Sequence, residues 1–238
     1  MLVNLSQHVF KTLIYPNLWG YGFGVMNTAY NMCALLIIMS PIAYCLKLNF
    51  LKDFVFWFGS AAGIIAIAIP YWHIGQSPFT AEYIRYMLCH ILLFVNSVLP
   101  LILGHHKTRY RMFPVMGIEF IAAIAFILLN DTVCYYLGFF GETAGNSLRE
   151  VLAEANPVWS FGPPEGFEVI TKVARAFVPD SWAGANEAGK YLPIIWYAIP
   201  LYLLITALAF VAFAASDFKS FSKDISRLRK KPQKVERI

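Results

Sequence analysis

The chain has 238 residues, of which 58% are hydrophobic, 16% aromatic and only 14% charged, with a mean hydropathy of +0.57. A soluble domain averages about 45–50% apolar and about 25% charged residues, so an ordinary water-soluble globule is excluded, as are a disordered chain, a collagen-like repeat and a disulfide scaffold. The net charge of +5 could suggest nucleic acid by its sign, but no recognition motif accompanies the basic residues and their placement points to a membrane instead.

Residues 1–27 are too interrupted to cross a bilayer and carry no clean signal-peptide pattern. Leu2–Leu13 reads as a short interfacial helix ending before Pro16, and WGYGFG (residues 19–24) as an aromatic belt leading into the first span. A membrane-crossing helix needs about 20 apolar residues, and five such runs follow: Thr28–Leu46, Phe54–Trp72, Tyr83–Gly104, Phe113–Leu137 and Tyr191–Ala214. Within lipid the backbone must satisfy its own hydrogen bonds, so these runs are expected to be helices. In the second, Gly59 and Gly63 form a GxxxG step suited to close helix approach. Pro70 and Pro100 fall near helix ends. The segment 138–190 is too polar to cross. Asn146–Glu154 reads as a short helix within it, and Gly166–Phe177 carries an amphipathic stripe. The expected fold is thus an all-α polytopic bundle of about five transmembrane helices with an extramembrane helical lid. Its parts are an interfacial segment (1–27), a four-helix core (28–137), the lid or partner-binding segment (138–190), a fifth span (191–214) and a basic tail (215–238).

Charge asymmetry orients this bundle. Lys47 and Lys52, then Lys107, Arg109 and Arg111, then the tail from Lys219 to Arg237 together hold 13 of the 19 basic residues, and all fall on one side if five helices alternate. By the positive-inside rule that side is cytoplasmic or matrix, in a bacterial plasma membrane or an organelle inner membrane, with the N-terminus outside. Lys107, Arg109, Arg111, Lys230 and Lys231 are candidate contacts for anionic lipid headgroups. Membrane lipids are therefore the expected partners, and other membrane subunits could dock through 138–190 and the tail.

Polar residues inside a span are costly and draw a functional hypothesis. They are Asn31, Cys33, His90, Asn96, Glu119, Asn130 and Asp131. Counting along the alternating helices at 1.5 Å per residue puts Cys33, His90 and Asn130 at one level, roughly 8–10 Å below the non-basic face. Glu119 lies toward the basic end, where a basic-loop partner is expected. A thiol beside an imidazole can become a nucleophile, and an amide can orient the imidazole. The bland alternative is that Cys33 is a small hydrophobe and His90 a helix–helix contact. Cys33, Cys45, Cys89 and Cys134 give no zinc spacing, although a disulfide among Cys33, Cys89 and Cys134 is conceivable in an oxidising compartment. His105–His106 is weak as a metal motif, and no metal or cofactor is expected.

A collinear series of segments resembles the YwaF-like integral membrane family, which includes the transmembrane protein 164-type acyltransferases: TAYNMC (28–33), FWFGSAAGIIAIAIP (56–70), the stretch Phe79–His90, HHKTRYRMF (105–113) and FILLND (126–131). The match covers Thr28–Leu137. Helices that precede this segment in the family are missing ahead of Thr28, so the chain reads as shortened at the N-terminus, and the family's histidine two residues before the cysteine is Asn31 here. The resemblance implies a phospholipid-dependent acyltransferase in which Cys33 is the nucleophile, His90 the base and Asn130 an orienting or oxyanion-supporting residue. The alternative is a non-catalytic structural subunit of a larger membrane complex, such as a respiratory-type assembly. A transporter is weaker, since paired midplane charges and an inverted repeat are lacking.

Overall fold

A computed structural model describes residues 24–70, 73, 75, 77–141, 146–157, 160–161 and 202–229. Within them the chain forms α1 (Met32–Cys45), α2 (Asn49–Ala68), α3 (Ala81–Ile102), α4 (Phe113–Tyr136), α5 (Leu148–Ala155), α6 (Tyr202–Ser216) and α7 (Phe218–Arg229), and no strand. Short 3-10 turns at Val25–Asn27 and Tyr110–Met112 lead into α1 and α4. Among the described residues, four segments are long and apolar enough to cross a membrane: Val25–Cys45, Asn49–Ala68, Ala81–Ile102 and Tyr110–Tyr136. The all-helical bundle expected from the sequence is what forms.

The helices alternate in direction, and their end contacts define two faces. At the polar end Val25 N–H donates to the Phe139 carbonyl at 2.9 Å, joining the entry of α1 to the exit of α4. At the basic end His106, after α3, meets Asp53, early in α2. α2 is the centre of the core, packing on α1, α3 and α4. Phe54, Phe58, Leu36, Leu93, Phe120 and Ile127 fill the space between them, with Phe58 and Phe120 stacked at 5.1 Å.

The GxxxG step does the work expected of it. A Cβ on Gly59 would stand 2.0 Å from Ser97 Oγ, and one on Gly63 would stand 2.8 Å from Phe94 Cβ and 3.1 Å from the His90 carbonyl oxygen. α6 lies on α4, where Met116, Ala209 and Phe213 are fully buried. α5 is capped by Ser147 and Glu150 in a reciprocal capping box and packs on α4 through Leu152, Phe161 and Leu128.

Several sequence expectations are corrected. α2 begins at Asn49, not Phe54, so Lys52 is helical and buried, its ammonium 5.2 Å above the Tyr44 ring, rather than a loop cation. It ends at Ala68 rather than Trp72, just before Pro70, which cannot donate to the ladder. Glu119 does not reach the basic loop: both carboxylate oxygens are buried without a hydrogen-bond partner. Of the fifth span, the described helix α6 has 15 residues, about 22 Å against a hydrocarbon core of about 30 Å, and residues 191–201 lie outside the described set. So do Leu2–Leu13, the Gly166–Phe177 stripe, and Lys230 and Lys231.

Candidate functional site

α1 starts where it does because Asn31, in an extended conformation, accepts a hydrogen bond from Ala34 N–H at 2.9 Å. An amide side chain at that position is a good cap and leaves the next residues to open the helix. Cys33 is then the second residue of α1, half-buried and free of any disulfide. Its sulfur sits in the first turn, where amide N–H groups lack intrahelical partners. Its side chain packs against the main apolar core.

α3 is started by Thr80, whose hydroxyl accepts from Tyr83 N–H at 3.2 Å. From there Tyr83, Tyr86 and His90 follow at helical spacing along one face. The His90 ring packs on Tyr86 with centroids 4.2 Å apart, and His73, from the α2–α3 connection, packs on Tyr86 at 4.7 Å and on Tyr83 at 5.7 Å. Tyr86 hydroxyl donates to the Ala66 carbonyl of α2 at 3.2 Å, which fixes its ring. His90 Nδ1 lies 2.8 Å from the Tyr86 carbonyl oxygen. A carbonyl only accepts, so Nδ1 carries the proton, and in the neutral ring the lone pair is on Nε2.

Asn130 occupies a different cluster at the same end. Its amide donates to Thr28 Oγ1 at 2.9 Å and to Asp131 Oδ1 at 3.0 Å, and Thr28 Oγ1 lies 3.6 Å from Cys134 Sγ. Thr28 in turn donates to the Val25 carbonyl at 2.7 Å. Asn130 therefore ties α4 to the approach of α1, three residues before the Asn31 cap. The polar partner of His90 is the Tyr86 carbonyl and those of Asn130 are Thr28 and Asp131, and among the described residues no hydrogen bond joins Cys33, His90 and Asn130 to one another.

Sequence reasoning missed Tyr86 and His73. The signal for Tyr86 was present: Tyr83, Tyr86 and His90 at i, i+3 and i+7 fall on one helix face. His73 had none, because a loop residue's position is set by its connection. At the basic end Asp53 and His106 form a buried pair, Oδ1 to Nε2 at 2.8 Å. This absorbs His106 into the fold, and no metal-holding group of His, Cys, Asp or Glu occurs among the described residues. Of the candidate headgroup contacts, Lys107 and Arg109 are exposed and Arg111 is bound to Asp224.

The chain matches no protein-family model, no curated protein and no solved structure.

Proposed function

We propose that this membrane protein is an acyltransferase that takes an acyl chain from a phospholipid onto Cys33 and passes it to an acceptor. The observation that carries the reading is the His90 ring: its Nδ1–H is held by the Tyr86 carbonyl at 2.8 Å, which leaves Nε2 to accept a proton at the end of the bundle where Cys33 opens α1. The collinear resemblance over Thr28–Leu137 supports it from a separate direction.

His90 Nε2 accepts the Cys33 proton. The thiolate forms as His90 takes the proton. It attacks the ester carbonyl carbon, forming a C–S bond as the ester C–O bond breaks, and His90 returns the proton to the departing lysophospholipid oxygen. In the second half-reaction an acceptor hydroxyl gives its proton to His90 and attacks the thioester carbon, and Cys33 leaves as the thiol. The Tyr86 carbonyl fills the role of a base-orienting group by fixing the His90 tautomer. Asn130 is a positioning residue that acts through Thr28 on the approach to α1. By the positive-inside rule the basic end faces the cytoplasm or matrix, so the site serves the opposite leaflet.

Purified protein in phospholipid vesicles tests this. Intact-mass analysis is expected to give a hydroxylamine-sensitive acyl adduct that Cys33→Ala lacks. Both Cys33→Ala and His90→Ala should lower transfer by about 100-fold or more. Full transfer by Cys33→Ala overturns the mechanism. Absence of transfer by the parent, with stoichiometric co-purifying chains on native electrophoresis, favours the structural-subunit reading instead.

A further inference from the structure

A second site is built at the opposite end of the bundle. A cleft of about 450 Å³ opens between the Tyr110–Met112 turn and α7, lined by Arg109, Arg111, Lys223 and Arg227 with Asp217 and Asp224. α7 follows α6 after a single turn residue and is amphipathic. Phe218, Phe221 and Ile225 lie along one stripe, while Lys219, Lys223 and Arg227 fall at i, i+4 and i+8. Phe221 packs on Tyr110 at 5.5 Å and on Phe210 at 5.6 Å, which holds α7 against the bundle. Phe218 remains 65% exposed beside the basic stripe. A helix of this kind lies at headgroup depth, with its apolar stripe toward acyl chains.

The ion pairs inside the cleft leave a surplus of positive charge. Asp224 accepts from the Tyr110 hydroxyl and from Arg111 Nε and Nη2, so its carboxylate and the Arg111 guanidinium are committed to each other. Asp217 accepts from Tyr110 N–H at 3.4 Å. Arg227 Nη1 stands 3.7 Å from Asp224 Oδ1, beyond hydrogen-bond distance, so its donors stay available. Arg109 and Lys223 are exposed and make no ion pair with a described residue. Three cations thus converge on one cleft at headgroup level, with the nearest carboxylate already engaged.

We infer that this cleft binds the phosphodiester of an anionic phospholipid headgroup through Arg109, Lys223 and Arg227, while Arg111 and Asp224 serve as the strut that keeps α7 in position. Planar guanidinium forks suit phosphate oxygens, and a lysine adds a point charge. The inference is independent of the acyl-transfer reading, because it concerns the other membrane face and no residue of the Cys33–His90 region.

The test uses the full chain in phosphatidylcholine bilayers doped with spin-labelled phosphatidylglycerol, and reads the association of the labelled lipid relative to labelled phosphatidylcholine. Arg109→Gln, Lys223→Gln and Arg227→Gln should each lower that preference about fivefold, and Lys223→Arg should retain it. Lys219→Gln makes the same charge change on the same helix outside the cleft and should leave the preference intact. Equal losses from Lys219→Gln and Lys223→Gln would mean diffuse surface charge and overturn the site. Inorganic phosphate, added at the ionic strength of a chloride control, should not displace the labelled lipid. Complete displacement would assign the cleft to free phosphate and overturn the lipid assignment.

Discussion

At Gly59 and Gly63 the separation of two helices is set by the absence of a methyl group. The neighbour of a new Cβ at Gly59 is a hydroxyl at the end of a side chain, whereas at Gly63 it meets Phe94 Cα and the His90 carbonyl as well as Phe94 Cβ. A hydroxyl can be removed, but a backbone cannot move without shifting α3. Gly59→Ala should therefore destabilise the protein by about 1–3 kcal/mol, with a part recovered by adding Ser97→Ala. Gly63→Ala should cost as much with no such rescue. Thermal unfolding in detergent, followed for the single and double variants, checks this, and equal rescue at both positions would contradict the contact geometry. Gly63 also bears on the proposed site, since the His90 carbonyl is one of its two backbone neighbours on α3. Asp53 makes a related point from the polar side. It lies ahead of the second expected span, Phe54–Trp72, yet it is fully buried, with Oδ1 paired to His106, which lowers the cost of taking a carboxylate into the bundle.

At the scale of elements, the turn between α1 and α2 is a Schellman closure. Leu48 N–H donates to the Ala43 carbonyl at 3.0 Å and Lys47 N–H to the Tyr44 carbonyl at 3.4 Å. Lys47 sits at φ 56°, in the left-handed region, where a side chain is strained. The corresponding residues after α3 and α4 are Gly104 and Gly138, at φ 71° and 73°. Lys47→Gly should accordingly raise stability by about 0.5–1 kcal/mol, the relief of left-handed strain being larger than the entropy a new glycine adds to the unfolded chain. Lys47→Val should lower it. A flat response in denaturant or thermal unfolding would mean the turn is not rigidly held. This lysine also explains why the start of α2 is misjudged by sequence pattern. With no glycine or proline between residues 46 and 53, nothing marks the stop of one helix and the start of the next.

For the whole molecule, the docking of α7 decides whether the basic cleft exists. Hydrogen bonds from Tyr110 and Arg111 hold the Asp224 carboxyl below its ordinary range, with the charges of Arg111 and Arg227 adding to them. A carboxylate with a lowered native pKa contributes stability above its unfolded value, about 3.9, and loses it as pH falls through the native value. Docking should thus be constant from neutral pH down to about pH 4 and loosen only below it. Distances between spin labels at His105→Cys and Ser222→Cys, in a Cys45→Ser background, report this. Asp224→Ala should give the broadened distribution at every pH, and loosening near pH 6 would point to a histidine instead.

The helical class and four of the five expected spans, to within a few residues, were legible in the sequence, because hydrophobic length and the demand for internal backbone hydrogen bonding are local properties. The sequence also marked Gly59 and Gly63 as a contact, and Cys33 and His90 as polar groups of one end. Which side chains those groups meet follows from the tertiary packing: Tyr86 for His90, Thr28 and Asp131 for Asn130, His106 for Asp53. Depth along a helix follows from counting residues. The direction in which each helix turns its faces follows from packing against neighbours that are distant in the chain, and that rotation assigns the partners.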